Sequence, residues 1–101
     1  MDGHNTFPFR ILTPGGELIQ GEITQIQVRS HTGSLGVMAK HEPLVAACPA
    51  GIIRIQQDGV WVRFKSEAFL LKTDGTAVTI LTTFAQYHGD VVAKSSHRFI
   101  D

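Results

Sequence analysis

Five histidines (His4, His31, His41, His88 and His97), one cysteine (Cys48) and nine acidic side chains are the groups in this 101-residue chain able to bind a metal, move a proton or attack an electrophile. No two histidines stand three to five residues apart, and no cysteine or carboxylate completes a ligand set beside them, so the spacing specifies no metal site. A nucleophile needs a base and a group to orient it, and Cys48, His41 and Asp58 share no local signature that would unite them. In Leu44-Val45-Ala46-Ala47-Cys48 the thiol reads instead as a small buried apolar group. Gly33-Ser34-Leu35-Gly36 has neither the lysine and hydroxyl of a phosphate-binding P-loop nor the glycine spacing of a dinucleotide site. Glu17, Glu22, Glu42 and Glu67 fall on turns or polar strand faces, where carboxylates stay solvated. The residues therefore specify no catalytic constellation and no cofactor. An enzyme here would need Cys48 exposed, with a histidine within hydrogen-bond reach.

Whatever these groups do, one small core must position them, because 101 residues make a single domain. With 43% hydrophobic and 18% charged residues the chain packs rather than staying disordered. A lone cysteine builds no disulfide framework. Nine basic residues balance nine acidic ones, so no net field draws the chain to nucleic acid or anionic lipid. Apolar runs such as Phe69-Leu70-Leu71 are far shorter than the roughly 20 residues of a membrane helix. The start, Met1-Asp2-Gly3-His4-Asn5, lacks the basic and apolar regions of a secretory signal, and the expected setting is a cytosolic face.

Asp58-Gly59 divides Gly51–Gln57 from Val60–Lys65, and both turn positions tolerate positive φ, so a tight hairpin is expected. Its first arm sets Ile53 and Ile55 against Arg54 and Gln56. Its second sets Val60, Val62 and Phe64 against Trp61, Arg63 and Lys65, which leaves Trp61 on the outside as a contact or tucked against an arginine. Asp74-Gly75 repeats the signal between Phe69–Lys72 and Ala77–Thr82. Upstream, Phe7–Leu12 reads as a strand whose Pro8 donates nothing, which puts it at a sheet edge or puts Pro8 at its beginning; an edge is expected. Thr13-Pro14-Gly15-Gly16 is a turn with glycine in the left-handed region after the proline. Leu18-Ile19 and Ile26–Arg29 add further strand before the polar loop Ser30–Ser34. No segment sustains helical periodicity, and the only candidate helix is the polar tail Asp90–Asp101. The pattern is all-β: a small sandwich or flattened barrel of about ten short strands over residues 1–88, with a short tail over 89–101.

The block Gly33-Ser34-Leu35-Gly36-Val37-Met38-Ala39-Lys40-His41-Glu42-Pro43-Leu44, continued by Ala50-Gly51-Ile52-Ile53-Arg54-Ile55, resembles the ε subunit of the rotary F-type ATP synthases, called δ in mitochondria. Ile11–Gly15, Glu22–Val28 and Val78–Leu81 are similar to the strands that flank that block in the family, and the resemblance runs from about Phe7 to Ala85. It departs at Ala39-Lys40, where the family usually has Pro-Gly or Pro-Asn, and at Glu67-Ala68, where it often has Gly-Gly.

The resemblance implies a β-sandwich at the foot of the central stalk, joining the γ subunit to the c ring during proton-driven ATP synthesis without an active site of its own. It implies that Thr32, Gly33, Ser34 and Leu35 face the c ring and that His41, Pro43, Leu44 and Ala46 lie toward γ. On the residues alone the first set also reads as a plain hairpin loop, and His41 as a brace for the turn before the next strand. The implied location is peripheral, on the cytoplasmic face of a bacterial inner membrane or the matrix side of the mitochondrial one. Family members commonly add a two-helix hairpin after the sandwich. Only about a dozen residues follow Gly89 here, at most one helix of roughly 20 Å, so neither the inhibitory role nor an ATP site is carried over. An obligate subunit should also leave an apolar patch on one sheet face. The alternative is a free-standing sandwich that binds a small ligand or peptide in a concave pocket with convergent polar groups.

Overall fold

Strict alternation of apolar and polar residues builds the molecule. In the computed structural model, which describes residues 6–16, 18–39 and 42–88, β1 (Phe7–Leu12) buries Phe7, Phe9 and Ile11 and turns Pro8 and Arg10 outward. The same period runs through β2 (Leu18–Ile23), β3 (Gln25–Ser30), β4 (Gly33–Met38), β5 (Leu44–Cys48) and β6 (Gly51–Gln57). It continues in β7 (Val60–Ser66), β8 (Phe69–Thr73), β9 (Val78–Thr82) and β10 (Ala85–Tyr87). Two five-stranded sheets result, in the orders β2-β1-β9-β8-β5 and β10-β7-β6-β3-β4, called the first and second sheet below. Every pairing is antiparallel except β1 with β9, which is parallel. No helix lies among the described residues, and the tail proposed as a helix, 90–101, falls outside them.

The inner faces meet in a dry core. Phe9 of the first sheet and Phe64 of the second stand 6.5 Å apart between ring centroids, and Tyr87 meets Phe64 edge-on at 6.0 Å. The chain crosses between sheets at Thr24, whose N–H donates to Gln56 O at 2.9 Å and whose hydroxyl donates to Gln56 Oε1 at 3.0 Å, tying the corner to β6. A buried polar knot closes the far end: Ser66 Oγ donates to Glu67 O (2.7 Å), and Thr82 Oγ1 donates to Ala68 O (3.1 Å).

Both Asp-Gly hairpins form as expected from sequence. At β6–β7 the turn places Asp58 at φ 53° and Gly59 at φ 77°, and the ladder runs unbroken from Gln57↔Val60 to Gly51↔Ser66. At β8–β9, Asp74 Oδ1 accepts from the N–H groups of Thr76 (2.8 Å) and Ala77 (2.9 Å) and from the Thr76 hydroxyl (2.8 Å). Those bonds to the charged form hold its carboxyl down at about 2.

Two local expectations are corrected. β1 is not an edge strand but lies between β2 and β9; Pro8 is tolerated because the β9 ladder begins only at Phe9↔Val78, one residue later. The Thr13–Gly16 turn closes as expected, Gly16 N–H to Thr13 O at 3.1 Å, but the left-handed residue is Gly16 (φ 90°) rather than Gly15. The turn proper is thus compatible with ordinary residues, and the reversal of hand comes where the chain re-enters the sheet.

Candidate functional site

The loop between β3 and β4 is a two-residue connection, His31-Thr32, between the paired Ser30 and Gly33. Ser30 Oγ donates to Gly33 O (2.9 Å) and accepts from the Thr32 N–H (3.2 Å), which stiffens the tip. Gly33 has φ 136°, and a Cβ there would meet nothing within 4 Å, so the backbone rather than crowding demands glycine. Thr32, Gly33 and Ser34 are exposed, whereas Leu35 turns inward and packs on the core. The tip is therefore a small polar prominence anchored from behind by one leucine.

β5 is the outer strand of the first sheet. Its approach is held by Thr73 Oγ1, which donates to Glu42 O at 3.0 Å. Pro43 is exposed; Leu44 and Ala46 turn inward and pack against the core. The outward positions are Val45, 67% exposed, and Ala47. His41 lies outside the described residues.

The outer face of the first sheet carries a feature the sequence reading did not place. Register aligns Leu12 with Leu81, Leu81 with Leu70 and Leu70 with Ala47, so four apolar side chains form one row across β1, β9, β8 and β5. At the usual strand spacing that row is about 14 Å long. Leu70 (43%) and Leu81 (41%) are exposed, and a shallow groove of about 650 Å³ runs beside them, lined also by Pro14, His31 and Ala68. The row is an exposed apolar strip on that sheet face. Parity within β8 and β9 marks Leu70 and Leu81 as outward; their adjacency needs the register between strands.

Cys48 is buried, its Sγ donating to Ala46 O at 3.9 Å, and burial pushes the thiol above its ordinary value. An inert thiol, not an activated nucleophile, lies beneath the groove. Among the described residues no three His, Cys, Asp or Glu side chains are grouped to hold a metal ion. Trp61 lies on the outer face of the second sheet, 42% exposed, opposite Gln56.

The arrangement offers surfaces for contact. The family model of the ATP synthase delta/epsilon chain, β-sandwich domain, matches residues 6–87. The ATP synthase epsilon chain of Ruminiclostridium cellulolyticum is 34% identical over 86 residues, covering 85% of this chain and 64% of that protein. The chloroplastic epsilon chain of Pinus thunbergii is 29% identical over 86 residues, with 85% and 63% covered. The chain thus spans somewhat less than two thirds of the length of these relatives. Among solved structures, the mitochondrial ATP synthase of Euglena gracilis, with OSCP, F1 and c ring, contains a chain that superposes with a TM-score of 0.78 at 19% identity, covering 97% of this chain and 63% of that one. The central stalk and c ring of Tetrahymena thermophila mitochondrial ATP synthase gives 0.66 at 16% identity, with 91% of each chain covered. Likeness at those identities establishes the shared sandwich fold.

Proposed function

We propose a rotor role from one premise: the chain belongs to the ATP synthase delta/epsilon family. In this reading it is a non-catalytic subunit of the central stalk that couples the γ subunit to the c ring during proton-driven ATP synthesis. The observation that carries the reading is the family match over residues 6–87, which takes in every strand of both sheets. The geometry supports it. Torque passes through a part without loss only if the part does not deform, and a close-packed core between two laddered sheets is stiff. The β3–β4 tip, with Thr32, Gly33 and Ser34 exposed and Leu35 as its anchor, faces the polar loops of the c ring. The stretch that holds His41, Pro43, Leu44 and Ala46 lies toward γ, with Val45 and Ala47 as its outward side chains. The chain then sits peripherally, on the cytoplasmic face of a bacterial inner membrane.

The groove beside the leucine row exposes mostly apolar surface, from Leu12, Leu70, Leu81, Ala47 and Pro14, with Thr13, Thr83 and His31 among its polar members and no charged carboxylate or amine, which fits a protein neighbour better than a small charged ligand. Co-expression with γ is the test. Stable co-purification is expected, and the isolated chain should hydrolyse no ATP. Failure to hold γ under conditions where a known ε subunit holds it would overturn the reading.

A further inference from the structure

The chain's formal charge is zero, yet its charges are sorted in space. The outward side chains of the second sheet are Gln25, Gln27 and Arg29 on β3, Ser34 and Met38 on β4, Ile52, Arg54 and Gln56 on β6, Trp61, Arg63 and Lys65 on β7, and Gln86 on β10. Four are cationic and none is acidic. The register brings them together: Arg54 lies directly opposite Arg63, Gln27 joins Arg54 to β4, and Lys65 pairs with Ile52 two residues along the ladder, on the same face. Like charges set opposite each other across strands oppose sheet pairing, so the arrangement is not one that strand pairing by itself selects. Among the described residues no carboxylate forms an ion pair with Arg29, Arg54 or Lys65. The nearest acidic residues along the strand, Asp58 and Glu67, lie beyond the two ends of β7.

A groove of about 580 Å³ crosses this face, with Arg29, Arg54, Gln27 and Ser34 around it and Gly36 and Gly51 leaving it open. A Cβ at Gly36 would meet nothing nearer than Ile26 O, at 3.9 Å, and its φ lies outside the left-handed region, so neither space nor backbone requires glycine there. The missing side chain keeps the two arginines accessible.

We propose that the outer face of the second sheet docks an acidic protein segment, its carboxylates held by Arg29, Arg54 and Lys65. Charge complementarity calls for an anion of planar or forked oxygens, which guanidinium groups take bidentately, and a carboxylate is the one a protein segment supplies. The glutamines beside them are tied into a chain, Gln27 Nε2 donating to Gln25 Oε1 (3.4 Å) and Gln25 Nε2 to Gln56 Oε1 (3.3 Å), which leaves the Gln27 Oε1 as an acceptor for a peptide N–H, a group that lipid and nucleic-acid phosphates lack. Arginine and an exposed Trp61 are likewise the residue types enriched where proteins meet. The inference deepens the rotor reading by stating the chemistry of one neighbour, and it relies on that reading for the assembly used in its test.

The test is carbodiimide coupling in the assembly purified through this chain, in which an activated carboxylate is attacked by a lysine amine within ion-pair reach and an amide forms as the reagent departs as its urea. Lys65 should be joined to an Asp or Glu of another subunit, identified by mass spectrometry, and Lys72 on the opposite outer face should serve as the unlinked comparison. The double variant R29E/R54E should weaken retention in the assembly roughly tenfold at low salt and less at high salt, with the thermal midpoint of the isolated chain unchanged. G36V should weaken retention as well, because it fills the groove in a residue type suited to a strand. The proposal is overturned if the chain is in the assembly but Lys65 stays unlinked or links only within its own chain. It is equally overturned if K72E weakens retention as much as R29E/R54E, or if the isolated chain binds vesicles of equal phosphatidylcholine and phosphatidylserine but not poly-L-glutamate. Should the chain enter no ATP synthase assembly, the rotor reading fails by itself. Binding of poly-L-glutamate by the full chain, abolished in R29E/R54E, then upholds this proposal, and its absence rejects it.

Discussion

The two sheets of the sandwich share one rule inside and follow opposite rules outside. Their inner faces are interchangeable in chemistry, Phe9, Ile11 and Ile80 from one meeting Ile53, Ile55 and Phe64 from the other. Outside, the first sheet shows the leucine row Leu12, Leu81 and Leu70 with Arg10 and Lys72 off to one side of it, while the second shows Arg29, Arg54, Arg63 and Lys65 and no leucine. Burial dictates the inside of any sandwich, so its residues carry little information about task. The outside is free to vary, and under the two proposals above the divergence of the outer faces corresponds to two contacts of different physics, one driven by removing apolar surface from water and one by charge.

The largest effect should come from a change that ignores the division. Phe64→Ala removes a fully buried ring that touches both Phe9 and Tyr87, and urea unfolding should register a loss of about 3–5 kcal/mol with both contacts weakened together. Next in size, Leu81→Asp should leave the unfolding midpoint nearly in place but lower co-purification with γ by roughly tenfold or more, because it buries an unpaired charge in an apolar contact. If Leu81→Asp and R29E/R54E prove equally salt-sensitive, the contrast between the faces is false. High salt should relieve only the cationic face, since screening acts on charge and leaves apolar burial intact.

Two smaller effects sharpen the picture within the first sheet. Cys48 should react slowly with an aromatic disulfide reagent in the native chain and rapidly in urea; fast native reaction would mean that the groove above it opens. Asp74→Ala should lower the midpoint slightly at neutral pH. Because the folded carboxyl is held at about 2, below the ordinary value near 4, its contribution is present above pH ~4 and fades as pH falls toward 2. The difference between wild type and Asp74→Ala should therefore shrink in strong acid, as circular dichroism across that range would record.

Much of this was legible along the chain. Asp58-Gly59 and Asp74-Gly75 marked two hairpins because their turn chemistry is local, and parity within seven residues was enough to put Trp61 outside. What could not be read depends on register between strands far apart in sequence. Gln27 and Arg54 are ladder partners, as are Leu12 and Leu81, and no local pattern encodes either pairing. A balanced count of charges accordingly hid a face with cations only. Pro8 misled for the same reason: proline reports on its own missing donor, and which neighbour fails to need that donor is a matter of where β9 begins.

The parallel pairing of β1 with β9 has a consequence for how the protein is born. Arg10 Nε donates to Thr79 Oγ1 at 3.3 Å across a separation of 69 residues, and β9 is the strand that links the β1–β2 ribbon to the rest of its sheet. During translation β1 and β2 emerge early as a lone ribbon, too small to persist in water by itself, with Phe7, Phe9 and Ile11 uncovered. The first layer closes only when Val78–Thr82 has been made, so a ribosome that halts before Val78 releases no shortened sandwich, only greasy ribbons awaiting a chaperone or a protease.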